Sequence, residues 1–182
     1  MSAAGCRGAV VGSRSASLLA GFAALVLAGC AGLRAPPPST ASARAGWRVY
    51  AVGALQVEAP EGWNPSGDAT RLTLAAGGEG RLEVWRVEAR FADSKACLAA
   101  AERSLARGDG ALARVRRHAT TLAGQPAIMQ EADVGGWHGW AYALCDGGVQ
   151  HRLFFTGRTP IAAALLETWR EVLRSVRRGG VA

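Results

Sequence analysis

The sequence predicts an α+β domain, a largely antiparallel sheet with helices packed against it. Three observations lead there. Strand-like runs are joined by short glycine-rich turns, which make hairpins and therefore antiparallel neighbours. Two segments carry apolar residues at helical spacing, each behind a residue suited to capping. The order is strands, helix, strands, helix, without the regular alternation of parallel α/β folds. The chain has 182 residues, 49% of them hydrophobic, and six tryptophans. That is enough for one domain of about 130 residues with its own core once an export segment is set aside.

The export segment comes first. Met1 to Ser15 carries only positive charge, and Leu18 to Ala28 is apolar. The run from Ala16 is shorter than the about 20 residues of a spanning helix, so it reads as a signal peptide covering residues 1–29. It ends in Leu27-Ala28-Gly29-Cys30, which resembles a bacterial lipobox. The resemblance implies that the Gly29–Cys30 bond is cut and that the Cys30 sulfur receives a diacylglyceryl group. Two or three acyl chains anchor a protein stably, at about 0.8 kcal/mol per buried methylene, where one does not. Ala31 in place of Asp resembles the default for the outer membrane of diderm bacteria. The expected location is the cell envelope, lipid-anchored and facing the periplasm, with the membrane as first partner.

Residues 30–46 then form a tether. Ala31 to Gly46 is rich in alanine, proline and serine, with Pro36-Pro37-Pro38 locally extended. The domain is expected over residues 47–178, with residues 179–182 as a tail. Trp47 to Ala59 reads as one strand or two broken at Gly53, closed by the turn Pro60-Glu61-Gly62. Ala69 to Ala76 and Arg81 to Arg90 form a hairpin across Gly77-Gly78-Glu79-Gly80. Leu82 to Val87 has apolar groups on both faces, the mark of a central strand.

Asp93 or Ser94 caps a helix running to about Ala106, with Leu98, Ala101 and Leu105 on one face and a stop at Gly108-Asp109-Gly110. Leu112 to Leu122 and Pro126 to Val134 are strands separated by Ala123-Gly124-Gln125. Trp137 to Cys145 and Val149 to Thr156 flank Asp146-Gly147-Gly148. A two-residue Gly147-Gly148 loop sets Trp140 opposite Phe155 and Tyr142 opposite Leu153, and a three-residue loop shifts that pairing. In the last helix Thr159 caps and Pro160 opens. Ile161, Leu165, Trp169, Val172 and Val176 make the apolar stripe, widened by Leu166 and Leu173. Arg170, Arg174, Arg177 and Arg178 crowd its negative end.

Three stretches resemble the PsbP-like superfamily, with its bacterial DcrB-type lipoproteins closest in style. They are Val57-Glu58-Ala59-Pro60-Glu61-Gly62-Trp63, Leu122-Ala123-Gly124-Gln125-Pro126-Ala127, and Leu153-Phe154-Phe155-Thr156-Gly157-Arg158 leading into a helix. The resemblance spans about Trp47 to Arg177. It implies an α/β/α sandwich around an antiparallel sheet, and no particular activity, because members of such a fold serve different partners.

The chemistry-bearing residues are few. Cys97 and Cys145 remain after Cys6 leaves with the signal and Cys30 is lipidated. In an oxidising compartment they are a disulfide candidate, with two buried thiols as the rival; no C-x-x-C redox motif exists. His118, His138 and His151 match no zinc spacing, and His118 sits among Arg114, Arg116 and Arg117, so no metal site is expected. They read as strand histidines with one face in solvent. Asp109, Glu131, Asp133 and Asp146 read as solvated surface. No G-x-S-x-G elbow and no phosphate-loop lysine appear, so no catalytic residue and no cofactor is expected.

Trp137-His138-Gly139-Trp140, with Trp169, is the candidate binding surface for an apolar ligand; core packing is the competing reading. The net charge of +7 comes almost entirely from arginine, Lys95 being the single lysine. This reflects codon composition and gives no ground to expect a nucleic-acid partner. The functional expectation is a noncatalytic binding or accessory module acting on an envelope protein. A small-ligand or lipid carrier is the alternative, and an enzyme the remote one.

Overall fold

The computed structural model describes residues 39–179. The expected signal peptide, the lipobox with Cys30, and residues 31–38 of the tether lie outside them. Two antiparallel sheets and two helices make up the described residues. The larger sheet has seven strands: β4 (Asn64–Asp68), β5 (Arg71–Ala76), β6 (Gly80–Arg90), β7 (Ala113–Leu122), β8 (Gln125–Val134), β9 (Trp137–Asp146) and β10 (Val149–Arg158). Their spatial order is β4-β5-β6-β10-β9-β8-β7. The smaller sheet has β1 (Ser39–Ala41), β2 (Trp47–Val52), β3 (Leu55–Pro60) and β11 (Arg177–Arg178), in the order β1-β2-β3-β11.

The α+β expectation and its antiparallel sheet hold, and β6 lies between β5 and β10, as its two apolar faces require. Helix α1 (Ser94–Ala106) covers one face of the large sheet. The small sheet and helix α2 (Ala163–Ser175) cover the other. Alternation along each strand decides what is buried where. Leu72, Leu74, Leu82, Val84, Leu153 and Phe155 point to one side, where Tyr50, Val52, Leu55, Val57, Trp169 and Val172 meet them. Each such side chain contributes about 1.5–3 kcal/mol on leaving water. On the other side Ala101 and Leu105 of α1 pack with Ile128, Ala141 and Ala143. The α1 cap is Asp93, whose carboxylate accepts from the Ala96 N–H at 2.7 Å.

A pair of glycines lets α2 approach. Gly80 and Gly157 face each other across β6 and β10. A Cβ on Gly80 would lie 2.8 Å from Leu165 Cδ2, and one on Gly157 2.9 Å from Ile161 Cδ1. The Phe-Thr-Gly element of the family resemblance thus has a steric reason.

Four expectations change. Strand pairing reaches into the expected tether, because β1 pairs with β2 (Ser39 opposite Tyr50). Helix α2 starts after Ala162, with no side-chain cap, rather than at Thr159-Pro160. The Thr159 N–H is already spent on the Gly136 carbonyl at 2.9 Å, which keeps the chain on the sheet. Arg177 and Arg178 do not extend the helix; they pair with Gln56 and Leu55 in the small sheet. Gly179, placed in the tail, donates its N–H to the Ala54 carbonyl at 2.7 Å.

Candidate functional site

The three tryptophans singled out by the sequence do not converge on one groove. Trp137 and Trp140 are three residues apart on β9, so alternation sends them to opposite faces. Trp137 is 36% exposed on the α1 side. Trp140 lies over Phe155 with ring centroids 5.7 Å apart, and Trp169 stacks on Phe155 at 4.5 Å. Trp169 is only 3% exposed. The aromatic column fills the core with the protein's own side chains.

Cys97 and Cys145 are joined in a disulfide, Cα to Cα 5.9 Å, which ties α1 to β9. The pair is separated by 48 residues. Closing such a loop contributes about 4 kcal/mol in the chain-entropy account.

Polar side chains gather in two places. The first is on β7, β8 and β9. Register sets Glu131 opposite both Arg116 and Trp140, and Asp133 opposite His138. His138 Nε2 is 3.0 Å from Glu131 Oε1 and its Nδ1 is 2.5 Å from Asp133 Oδ1. Arg116 Nη2 reaches Glu131 at 2.9 Å, and Arg114 pairs with Asp133. The bond from His138 holds the Asp133 carboxyl below the usual carboxylate range against the opposing effect of burial, with Arg114 adding to the lowering. The two arginine side chains stay 80% and 74% exposed, so the row is a patterned, charge-compensated surface. It borders a depression of about 530 Å³. Both ring nitrogens of His138 are engaged by carboxylates, which suits a structural clamp better than a free base.

The second place is a cleft of about 350 Å³ where the turn between β9 and β10 meets the small sheet. Ala54, Arg86, Asp146, Gly147, His151 and Arg178 line it. His151 lies opposite Arg86 on β6 and Leu144 on β9, continuing the inward row of Phe155 and Leu153. It is 2% exposed, and neither ring nitrogen has a hydrogen-bond partner. Leaving such a group unpaired costs about 1–3 kcal/mol. Burial first, then Arg86, pushes its pKa below the ordinary histidine value, with Asp146 opposing. The ring is therefore neutral at pH 7. Arg178 Nε bonds Asp146 Oδ2 at 2.9 Å, whereas Arg86 makes no ion pair or side-chain hydrogen bond among the described residues.

The histidines and acids depart from their expected solvent exposure. His118 is exposed on β7, but His151 has no face in solvent. Asp109, Glu131, Asp133 and Asp146 each hold an arginine: Arg117, Arg116, Arg114 and Arg178. Sequence reasoning missed the pairing of Arg86 with His151. The signal was present, since the hairpin register fixes His151 in step with Leu153 and Phe155. Among the described residues no three His, Cys, Asp or Glu side chains are placed to hold a metal ion.

No protein-family model and no curated protein matches the chain. Among solved structures, cyanobacterial PsbP (CyanoP) from Synechocystis sp. PCC 6803 matches with a TM-score of 0.52 at 12% identity, over 84% of this chain and 98% of that one. A protein from Bacteroides thetaiotaomicron VPI-5482 matches with a TM-score of 0.49 at 10% identity, over 70% of this chain. The chain spans 46% of that protein's length. The fold is PsbP-like.

Proposed function

We infer that this chain is a membrane-anchored envelope lipoprotein whose PsbP-like domain is a noncatalytic accessory module for another envelope protein. The lipobox ending at Cys30 supports the anchor, and Ala31 supports an outer-membrane destination facing the periplasm. One observation carries the choice of a protein partner. Exposed Arg114 and Arg116 with half-buried Glu131, Asp133 and His138 form an ordered charge row on β7–β9, while Trp140 and Trp169, which a carrier would need, are packed on Phe155. Mixed, paired charge over a shallow depression suits a protein surface of complementary pattern, which gains specificity more than raw affinity from such contacts.

In-cell photocrosslinking tests the reading. A crosslinker replacing exposed Arg116 in the full lipidated chain should capture one envelope protein, and a crosslinker at exposed Glu88 should not. Equal capture from both positions, or none from Arg116, contradicts it. Native mass spectrometry that finds a retained acyl ligand would favour the carrier instead.

A further inference from the structure

Among the described residues His151 is the one whose buried side-chain nitrogens have no partner, and it borders an open cleft. Two cations face the same space. Arg86 lies directly across β6–β10 from His151, without an ion pair of its own among the described residues. Arg178 also lines the cleft, bonded to Asp146. One carboxylate against two arginines leaves the lining net positive. Neutral His151 offers one N–H to donate and one nitrogen to accept. The two ring nitrogens point to opposite sides, so a group in the cleft meets one edge of the ring, and it must bring anionic oxygens for Arg86 and for the His151 N–H.

A phosphate group has that pattern, with several acceptor oxygens suited to an arginine and a neighbouring N–H. We propose that this cleft binds a phosphate group, held by Arg86 and His151. Gly53 leaves the room. Its φ is +59°, and a Cβ there would stand 3.2 Å from Arg86 Cδ and 3.3 Å from His151 Nε2. The volume of about 350 Å³ falls at the small end of ligand clefts, about 300–1,000 Å³. The site needs neither the anchor nor a protein partner, so it goes beyond the function proposed above.

Free phosphate, small phosphate esters and phospholipid headgroups share this chemistry. The test follows the His151 ring signals by NMR in the full chain, in detergent, as inorganic phosphate or glycerol phosphate is added. The site predicts a saturable shift of His151, no such shift of His118, and an upward move in the pH at which His151 protonates. Arg86→Met should weaken binding about ten-fold, the loss of one charge-assisted contact, and Arg86→Lys should recover part of it. Gly53→Ala should weaken it too, with thermal melting used to show that each variant is folded. Vesicles of phosphatidylglycerol and of phosphatidylcholine separate the sources. An Arg86-dependent response to soluble phosphate assigns a small ligand. An Arg86-dependent response confined to vesicles assigns a headgroup. No saturable His151 shift with any of these probes, or a shift that Arg86→Met leaves unchanged, overturns the proposal.

Discussion

Phe155 and Trp169 stack with ring centroids 4.5 Å apart and planes 13° from parallel, and this contact joins the central strand β10 to helix α2. Trp140 covers the same phenylalanine from β9 at 5.7 Å. Strand, neighbouring strand and helix therefore share one aromatic column. Trp169→Ala should cost about 3–5 kcal/mol, as expected for deleting a buried large aromatic side chain. Denaturant unfolding measures it; a loss below about 1 kcal/mol would show that α2 is held by other contacts.

The Cys97–Cys145 bond acts on the opposite face. The double variant Cys97→Ser, Cys145→Ser should be less stable than the wild type by about 4 kcal/mol, mainly by freeing the unfolded chain. Reduction of the wild-type protein should reproduce most of that loss, and equal melting of the oxidised and reduced forms would contradict it.

His151 makes stability depend on pH with a definite sign. Its folded pKa is depressed by burial and by Arg86, with Asp146 opposing and Arg178 bonded to that Asp146. The unfolded chain therefore binds a proton that the folded chain refuses. Stability from this source is full above the unfolded value of about 6.5 and is lost as pH falls from there toward the depressed folded value. His151→Gln should remove that part of the acid sensitivity, leaving contributions such as that of Asp133, which act only at lower pH. Unfolding curves at pH 8 and pH 5 for both proteins measure the difference; parallel losses would contradict the assignment.

The glycine pair makes a steric prediction. Gly157→Val places branched carbon where Ile161 already lies, 2.9 Å from the position of a Cβ. The expected cost is about 1–3 kcal/mol, with α2 displaced from the sheet. A crystal structure of the variant with Ile161 unmoved would refute this account of the motif.

Much of the fold was legible because local chemistry and tertiary structure agree. Asp146-Gly147-Gly148 gave the hairpin, and its two-residue register sets Trp140 opposite Phe155. Asp93 capped α1 where expected. Local cues failed where the edge of another strand, and not the segment's own pattern, decides. Asn64–Asp68, with Pro65 and Gly67, has no strand pattern of its own, but it forms edge strand β4, where a missing N–H is tolerated. Ser39–Ala41 and Arg177–Arg178 become strands only because β2 and β3 offer them an edge. At the site the error was one of period. Trp137 and Trp140 were grouped by proximity in sequence, although a two-residue repeat separates them. The same repeat would have placed His151 inside.

Labelled palmitate tests most directly the proposal that the domain works while tethered by Cys30. Cells expressing the full chain should incorporate the label, and Cys30→Ala should abolish it while the chain accumulates uncleaved. Incorporation that survives Cys30→Ala, or no incorporation into the wild-type chain, would contradict the anchor and the envelope function built on it.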